Sequence, residues 1–561
     1  LCEGIKTMIE PKFDENALAV LKERYLWKND KGEPIETPQE MLERVAGVVA
    51  SREESAVGRL AWAKEFYNIM ASKDFFPNSP TLMNAGRSGG HGQLSACFVL
   101  GIEDSMDSIF TTLKHQALIH KSGGGTGFNF SNLRAEGDIV NSTNGKASGP
   151  VSFMSMFDLA TDVVQQGGMR RGANMGILNC DHPDILKFIK AKTKDGKLKN
   201  FNISVAADDA FMKAAVEGKN SVFDEIVKAA WETGDPGMIF LDTINEKNTT
   251  PWLGELNATN PCGEVPLYPF EACNLGSINL SNMVEKGEIS YTKISRVVRT
   301  AVRFLDNVID INEFPLPQIK EAVLKTRKIG LGVMGFAELL FKLKIPYDSA
   351  QAVLLGSHIM EHIRNVAHHE SYLLGIERGT FDPRSVRRNA TLTCIAPTGT
   401  ISLLAGCSSG IEPVFALQHK RIAFAGEGEG VELEYYNPVY LEAVEDPYWS
   451  DTELNRVFVT AHDIDPVWHV TMQAAFQEYT DLAVSKTVNL PHDAKIEDVR
   501  NIYIKAWMKG CKGVTVYRDG CKNTQVLYKV ASNLCPQCGA SLKHQDGCVS
   551  CTKCSWGKCS M

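Results

Sequence analysis

Apolar residues recur at helical spacing through the first 75 residues. Ala17-Leu18, Val20-Leu21 and Tyr25-Leu26 form one series, and Met41-Leu42, Val45 and Val48-Val49 form another. This spacing predicts an N-terminal helical region over residues 1–75. From Asn78 to about Gln525 the chain alternates glycine-rich turns, short apolar runs and longer helical patterns. The stretches VLKTRKIGLGVMGFAELLFKL and AVLLGSHIMEHIRNVAHHESYLLG read as helical. Such alternation predicts an α/β catalytic domain over residues 76–525. FAGEGEG, from Phe424 to Gly430, reads as a surface loop. The pattern weakens around Asn523 to Asn533, which predicts a linker over 526–534 and a separate cysteine-rich tail over 535–561.

Composition narrows the class. The 561 residues are 44% hydrophobic and 22% charged, with a net charge of -8, as expected of a globular protein with a large core. The mild acidity argues against a nucleic-acid partner, which would need a basic stripe. The longest apolar run, Ile329 to Phe341, carries Glu338 and is too short for a membrane helix, so no membrane partner is expected. The first residues lack the charged region and apolar block of a signal peptide, and a cytoplasmic location is expected.

Of the 15 cysteines, six fall after residue 534. An odd count without a secretory signal points to metal binding or redox work, not to a disulfide framework. Cys535-x-x-Cys538-Gly539 has the form of a zinc knuckle, and either Cys548-x-x-Cys551 or Cys551-x-x-Cys554 can complete it. Four thiolates on Zn²⁺ would supply folding energy that so short a piece cannot draw from a core. The preferred assignment takes Cys535, Cys538, Cys548 and Cys551 as ligands. Cys554 and Cys559 then remain as a mobile dithiol that can exchange with a disulfide elsewhere.

Asn260-Pro261-Cys262-Gly263-Glu264 carries the densest chemistry. Pro and Gly around one Cys predict a thiol on a tight turn. If the segment is extended, the amide, sulfur and carboxylate at i-2, i and i+2 face one way. A single solvated cysteine in a turn is the plainer alternative for such a short motif. Cys97 in QLSACFVL and Cys273 in EACNLGSINL sit in strand-like apolar contexts where an inert buried thiol is the default. Ala396-Pro-Thr-Gly-Thr-Ile-Ser402 offers amides and hydroxyls suited to a phosphate, and Ser122-Gly-Gly-Gly-Thr-Gly127 allows close backbone approach to a ligand.

Together these segments resemble ribonucleotide reductases, and most closely the adenosylcobalamin-dependent (class II) large type. The marks are NSPTLMNAG at 78–86, ACF at 96–98, KSGGGTGFNFSNLR at 121–134, ASGPVSFM at 147–154, GGMRRGANMGIL at 167–178, NPCGE at 260–264, CNLGSINL at 273–280, APTGTIS at 396–402 and GVTVYRDGC at 513–521. The resemblance implies a ten-stranded α/β barrel with an N-terminal helical region and a small C-terminal zinc ribbon, the NPCGE loop lying inside the barrel away from water and oxygen. It implies a catalytic set of Asn260, Cys262 and Glu264: Cys262 as a transient thiyl, Glu264 as general base and Asn260 as holder of the sugar hydroxyls. Cys97 and Cys273 become the redox pair. Substrate contacts fall at Thr81, Ala96, Cys97, Gly125, at Asn260, Pro261, Cys262, Gly263 and Glu264, and at Ala396, Pro397, Thr398, Gly399, Thr400 and Ile401. The implied partners are a ribonucleoside diphosphate, thioredoxin or a similar dithiol recharging Cys554 and Cys559, and a second copy of the chain in a homodimer. A dNTP effector is expected at residues 134–150, with Arg170 and Arg171 on a loop that communicates with the substrate base. The 75 or so helical residues look too few for a separate ATP-binding module, so on/off control by dATP is not expected.

The radical source separates the classes. A class I large subunit receives its radical through adjacent tyrosines near its C-terminus, whereas this chain has Val516-Tyr517-Arg518 there. Tyr435-Tyr436 lies upstream beside the glycine loop and is expected on the surface. The glycyl-radical motif of the anaerobic class is missing from the sequence. Adenosylcobalamin is therefore the expected cofactor, beside Zn²⁺ in the tail, although no Asp-x-His-x-x-Gly signature is present. A class I large subunit is the runner-up, and a zinc-ribbon redox or nucleic-acid-binding protein the remote alternative. Gly330-x-Gly332-x-x-Gly335 spells a dinucleotide fingerprint, but KTRK precedes it in place of a buried strand, and close helix packing is the expected reason for the glycines.

Overall fold

The computed structural model describes residues 9–87, 92–140, 144–164, 172–193, 197–423, 431–521, 527–529, 542–545, 548–551 and 557–559. Ten strands form one sheet: β1 (Phe75–Pro77), β2 (Cys97–Val99), β3 (Gly125–Asn129), β4 (Asn174–Asn179), β5 (Phe201–Ala207), β6 (Gly237–Phe240), β7 (Ala272–Asn279), β8 (Ile329–Met334), β9 (Thr487–Leu490) and β10 (Gly513–Arg518). Their order is β1-β7-β2-β3-β4-β5-β6-β10-β9, with β8 on the free side of β7. Strands β2 to β6 run parallel to one another. The pairs β7–β8 and β9–β10 are each parallel inside and antiparallel to that block. Parallel bridges link Leu331 of β8 to Thr393, and Ile395 to Val484 just ahead of β9.

Parallel strands need crossover helices, which cover them and make them read as unbroken apolar runs. All eight residues of β7 and all six of β8 are buried. One core fills the space between helices and sheet, and a smaller one lies on the sheet's other face around Cys97, Cys273, Cys394, Leu275 and Met175. The expected helical stretch after Val323 resolves differently. A helix ends at Thr326, β8 follows, and a second helix runs from Phe336 to Lys342. The glycines of the dinucleotide-like spelling serve strand packing, not helix packing. A Cβ on Gly332 would overlap the Cys394 carbonyl, and one on Gly330 would lie 3.0 Å from the Cys394 sulfur. The segment 391–395 comes this close only because both side chains are missing.

The N-terminal region is helical at Glu15–Val20, continuing as a wider turn over Leu21–Tyr25, and at Pro38–Ala50 and Ala56–Ala71. Thr37 and Glu40 cap the second helix reciprocally, with Pro38 in its first turn. A buried ionic network bolts this layer to the body. Glu53 accepts from Arg303 (2.7 Å), Arg378 (2.8 Å) and Asn307 (2.9 Å), and Asp306 accepts from Arg327 at 2.8 Å. In the tail, Leu542–Gln545, Cys548–Cys551 and Gly557–Cys559 form a three-stranded antiparallel sheet. Leu527–Lys529, inside the expected linker, pairs with Gln418–Ala423. Cys535, Cys538, Cys554, Phe424–Gly430, Arg170 and Arg171 lie outside the described residues. Among the described residues no helix is long and apolar enough to cross a membrane.

Burial alone would raise the Glu53 carboxyl, but its three donors outweigh burial and hold it at about 2 instead of 4.5. A folded-state value below the unfolded one stabilises the fold above pH 4.5, and that stability fades as pH falls toward 2. Glu53→Gln should lower the unfolding free energy at pH 7 by about 3 kcal/mol and flatten its dependence between pH 4.5 and 2, as read from urea titrations across that range.

Candidate active site

The NPCGE segment is the tip of a small hairpin. Ala258–Thr259 pairs antiparallel with Pro266–Leu267, and the Asn260 and Gly263 amides close the turn on the Val265 (3.3 Å) and Asn260 (3.0 Å) carbonyls. Gly263 has φ +81, a left-handed value that suits glycine. The hairpin lies along β3. A Cβ at Gly127 would overlap the Thr259 carbonyl oxygen, and one at Gly125 would sit 2.9 Å from the Pro261 ring. The expected close approach at Ser122–Gly127 is thus made by the chain's own loop. The tip is a turn and not an extended segment, so the alternation argument does not apply to residues 260, 262 and 264. Asn260 and Glu264 are buried, and Cys262 is exposed.

The buried side brings most of the predicted residues together. Asn260 Nδ2 donates to Cys97 Sγ at 3.1 Å, while its Oδ1 accepts from the Val265 amide. Cys97 and Cys273 are direct partners across the antiparallel β2–β7 pair. That places their Cα atoms about 4.5–5.5 Å apart, inside the window of about 4.4–6.8 Å that a disulfide needs. Burial pushes the Cys273 thiol far up, with Lys328 opposing. It therefore stays protonated, as a hydrogen donor should. Ala96, Thr81 and Ala396 are buried nearby in the fold, Thr81 Oγ1 donating to Asn78 Oδ1 at 2.8 Å. Within residues 396–401, Thr398 has φ +51 and accepts from the Gly410 amide at 2.8 Å, which stiffens the loop.

The exposed side faces a cavity of about 630 Å³, a size suited to a small-molecule ligand. Pro261, Cys262 and Gly263 form part of its wall, with Pro397, Met175 and Tyr517 among the others. Thr81, Ala96, Cys97, Gly125, Asn260, Glu264 and Thr398–Ile401 do not border it. The Cys262 sulfur is therefore accessible from this cavity, not sealed off as expected. Tyr435, expected at the surface, also lines the cavity, because its strand Val431–Tyr436 folds back over it. Tyr436 is 45% exposed.

The family models for "Ribonucleotide reductase, barrel domain" match residues 95–221, 218–383 and 385–517, and the one for its "all-alpha domain" matches residues 11–90. The chain belongs to the ribonucleotide reductase large-subunit family. Similar relatives include a vitamin B12-dependent ribonucleoside-diphosphate reductase of Thermoplasma acidophilum, 45% identical over 92% of this chain and 80% of its own. Another of that name from Mycobacterium tuberculosis is 46% identical over 93% and 82%. A solved class Id ribonucleotide reductase alpha subunit from Actinobacillus ureae shares the fold, with a TM-score of 0.76 at 22% identity over 91% of this chain and 97% of that one.

Several features of this reductase were not anticipated from its sequence. Cys394 is a third buried thiol on the packed side, raised by burial and by its neighbours Glu264, Cys273 and Cys97. Lys486, also on the cavity wall, donates to Glu412, to His469 Nδ1 (3.0 Å) and to the Thr487 carbonyl (3.3 Å). A lysine inside AVSKTVNLP was the available signal. Gln473 donates to the Gly513 carbonyl at 2.8 Å, and its buried Oε1 lacks a hydrogen bond among the described residues. Gly127→Ala should displace the hairpin and cut turnover by about 100-fold while leaving the circular-dichroism spectrum intact. Near-normal turnover would mean that β3 does not set the loop.

Proposed function

We infer that the chain is a vitamin B12-dependent ribonucleoside-diphosphate reductase, making 2′-deoxyribonucleoside diphosphates for DNA precursor synthesis. One observation carries the chemistry: Cys97 stands opposite Cys273 while Asn260, two residues from Cys262, bonds to Cys97. The hairpin thus ties the dithiol pair to the turn that carries the accessible thiol. The finer fold reading is a closed ten-stranded barrel, supported by the bridges through Thr393 and Ile395.

The residues fit the implied cofactor. The cavity meets the Cys262 sulfur, and the Gln473 acceptor on its wall calls for a donor, since a buried unmet acceptor costs about 1–3 kcal/mol. Pro261–Gly263, Gln473 and Glu412 are the groups that would border the adenosyl portion, and filling the cavity would seal the sulfur from solvent. When bound, adenosylcobalamin supplies the radical chemistry. Cys262, as a thiyl, removes the ribose 3′ hydrogen. Glu264 takes the 3′ hydroxyl proton, and Asn260 holds the sugar hydroxyls. The 2′ C–O bond breaks and its oxygen leaves as water. A new C–H bond forms at that carbon, with the two electrons and two protons coming from Cys97 and Cys273, which end as a disulfide. The 3′ carbon radical then takes its hydrogen back from Cys262, which returns to the thiyl.

Outside this centre, Ala396–Ile401 take the phosphates, residues 134–150 take a dNTP effector, and Cys535, Cys538, Cys548 and Cys551 hold Zn²⁺. Cys554 and Cys559 pass electrons from thioredoxin. A homodimer is supported by Phe110, Leu159 and Val163, which lie exposed on the packed helices Met106–Lys121 and Pro150–Val163.

CDP, dithiothreitol and adenosylcobalamin should give dCDP without a second protein. Product that appears only after adding a metal-bearing small subunit would select the class I reading. Cys262→Ser should abolish turnover, because a hydroxyl cannot replace the thiol as hydrogen abstractor. Cys559→Ala should keep turnover with dithiothreitol and lose it with thioredoxin. Equal loss with both reductants would assign the tail to folding alone.

A further inference from the structure

Arg24 reaches across 376 positions of sequence to the 396–402 loop, where its Nη1 donates to Thr400 Oγ1 at 2.9 Å. It belongs to the N-terminal helical layer, on the turn Leu21–Tyr25. The flanking residue Tyr25 is fully buried and hydrogen-bonds Ser79 Oγ at 2.8 Å, beside the segment that carries Thr81. The layer is thus anchored at both segments expected to contact substrate, and Arg24 is half-buried between solvent and the loop. Residues 396–402 and 79–81 themselves contain hydroxyls, amides and apolar groups but no charged side chain. A nucleoside diphosphate brings several negative charges, and partly desolvated phosphate oxygens need a cation or an ordered donor set.

We propose that Arg24, acting with Thr400, binds the distal phosphate of the nucleoside diphosphate and is the side chain by which the enzyme prefers diphosphate to monophosphate. This rests on the reading of 396–401 as the phosphate loop. Position selects the distal phosphate. The sugar must lie against the 260–264 hairpin, and within the 396–402 loop Pro397 and Ser402 share a cavity wall with Cys262 while Thr400 does not. Thr400 and Arg24 therefore stand on the part of the loop turned away from that wall, against the N-terminal layer. A guanidinium has five donors in a planar fork, so one can stay on Thr400 while others meet phosphate oxygens.

The test measures binding of CDP, CMP and cytidine by calorimetry, and KM and kcat for CDP, in the wild-type protein, Arg24→Gln and Arg24→Lys. Arg24→Gln should weaken CDP roughly tenfold while changing CMP and cytidine little, with the kinetic effect on KM and not on kcat. Arg24→Lys should restore part of the difference, since it keeps the charge but loses the fork. A CDP-over-CMP preference unchanged in Arg24→Gln would overturn the proposal. So would equal weakening of all three ligands together with a lowered melting temperature, which would make Arg24 a structural tie. If the wild-type protein binds CDP no better than cytidine, the phosphate-loop reading itself fails, a result distinct from either of these.

Discussion

The hairpin that carries Cys262 can lie where it does only because strand β3 has no side chain at Gly127 and none at Gly125. There the Thr259 carbonyl and the Pro261 ring rest against bare backbone. Everything chemical follows from this contact. It sets the depth of the turn, in which Asn260 and Glu264 are buried and Cys262 is exposed. One loop thereby links the buried paired thiols, through Asn260, to the cavity that Cys262 borders.

The same logic of close approach recurs across the sheet. Gly330 and Gly332 let the segment 391–395 press onto β8, carrying Cys394 toward the packed side and continuing into the 396–402 loop. Glycines in two strands therefore position the two loops that meet around the expected substrate. Helices cover the outer face, and the pairing of Glu53 with Arg303 and Arg378 holds the N-terminal layer in place. That anchoring gives the N-terminal residues a reason to matter for the site. Arg24 can touch Thr400 only if its layer is fixed against the body.

Legibility in the sequence followed the range of the interaction. Local spacing announced the N-terminal helices and the long helix Ala350–Arg378. Cys97 and Cys273 were readable as strand residues, and only their partnership needed a likeness to a known family, because register between β2 and β7 is a long-range fact. Residues 329–334 misled because a buried strand flanked by two helices has the same apolar run as one long helix. The alternation rule does not apply at 260–264 because it presumes extended backbone, whereas Pro261 and Gly263 favour a turn. Tyr435 misled for another reason: its neighbours are polar and glycine-rich, and nothing local reveals that its strand folds over the cavity. Arg24 bonds to a residue 376 positions away, and Lys486 and Gln473 to residues 74 and 40 positions away, which no local pattern can announce.

The central claim is that the sulfur at 262 carries the unpaired electron that meets the ribose. Freeze-quench electron paramagnetic resonance tests it most directly, on protein grown with β-deuterated cysteine and mixed with CDP and adenosylcobalamin. A sulfur-centred radical is expected, with a line that narrows under the label and is lost when Ser replaces Cys262. A radical unaffected by the cysteine label, or one that persists in the Ser variant, would contradict it.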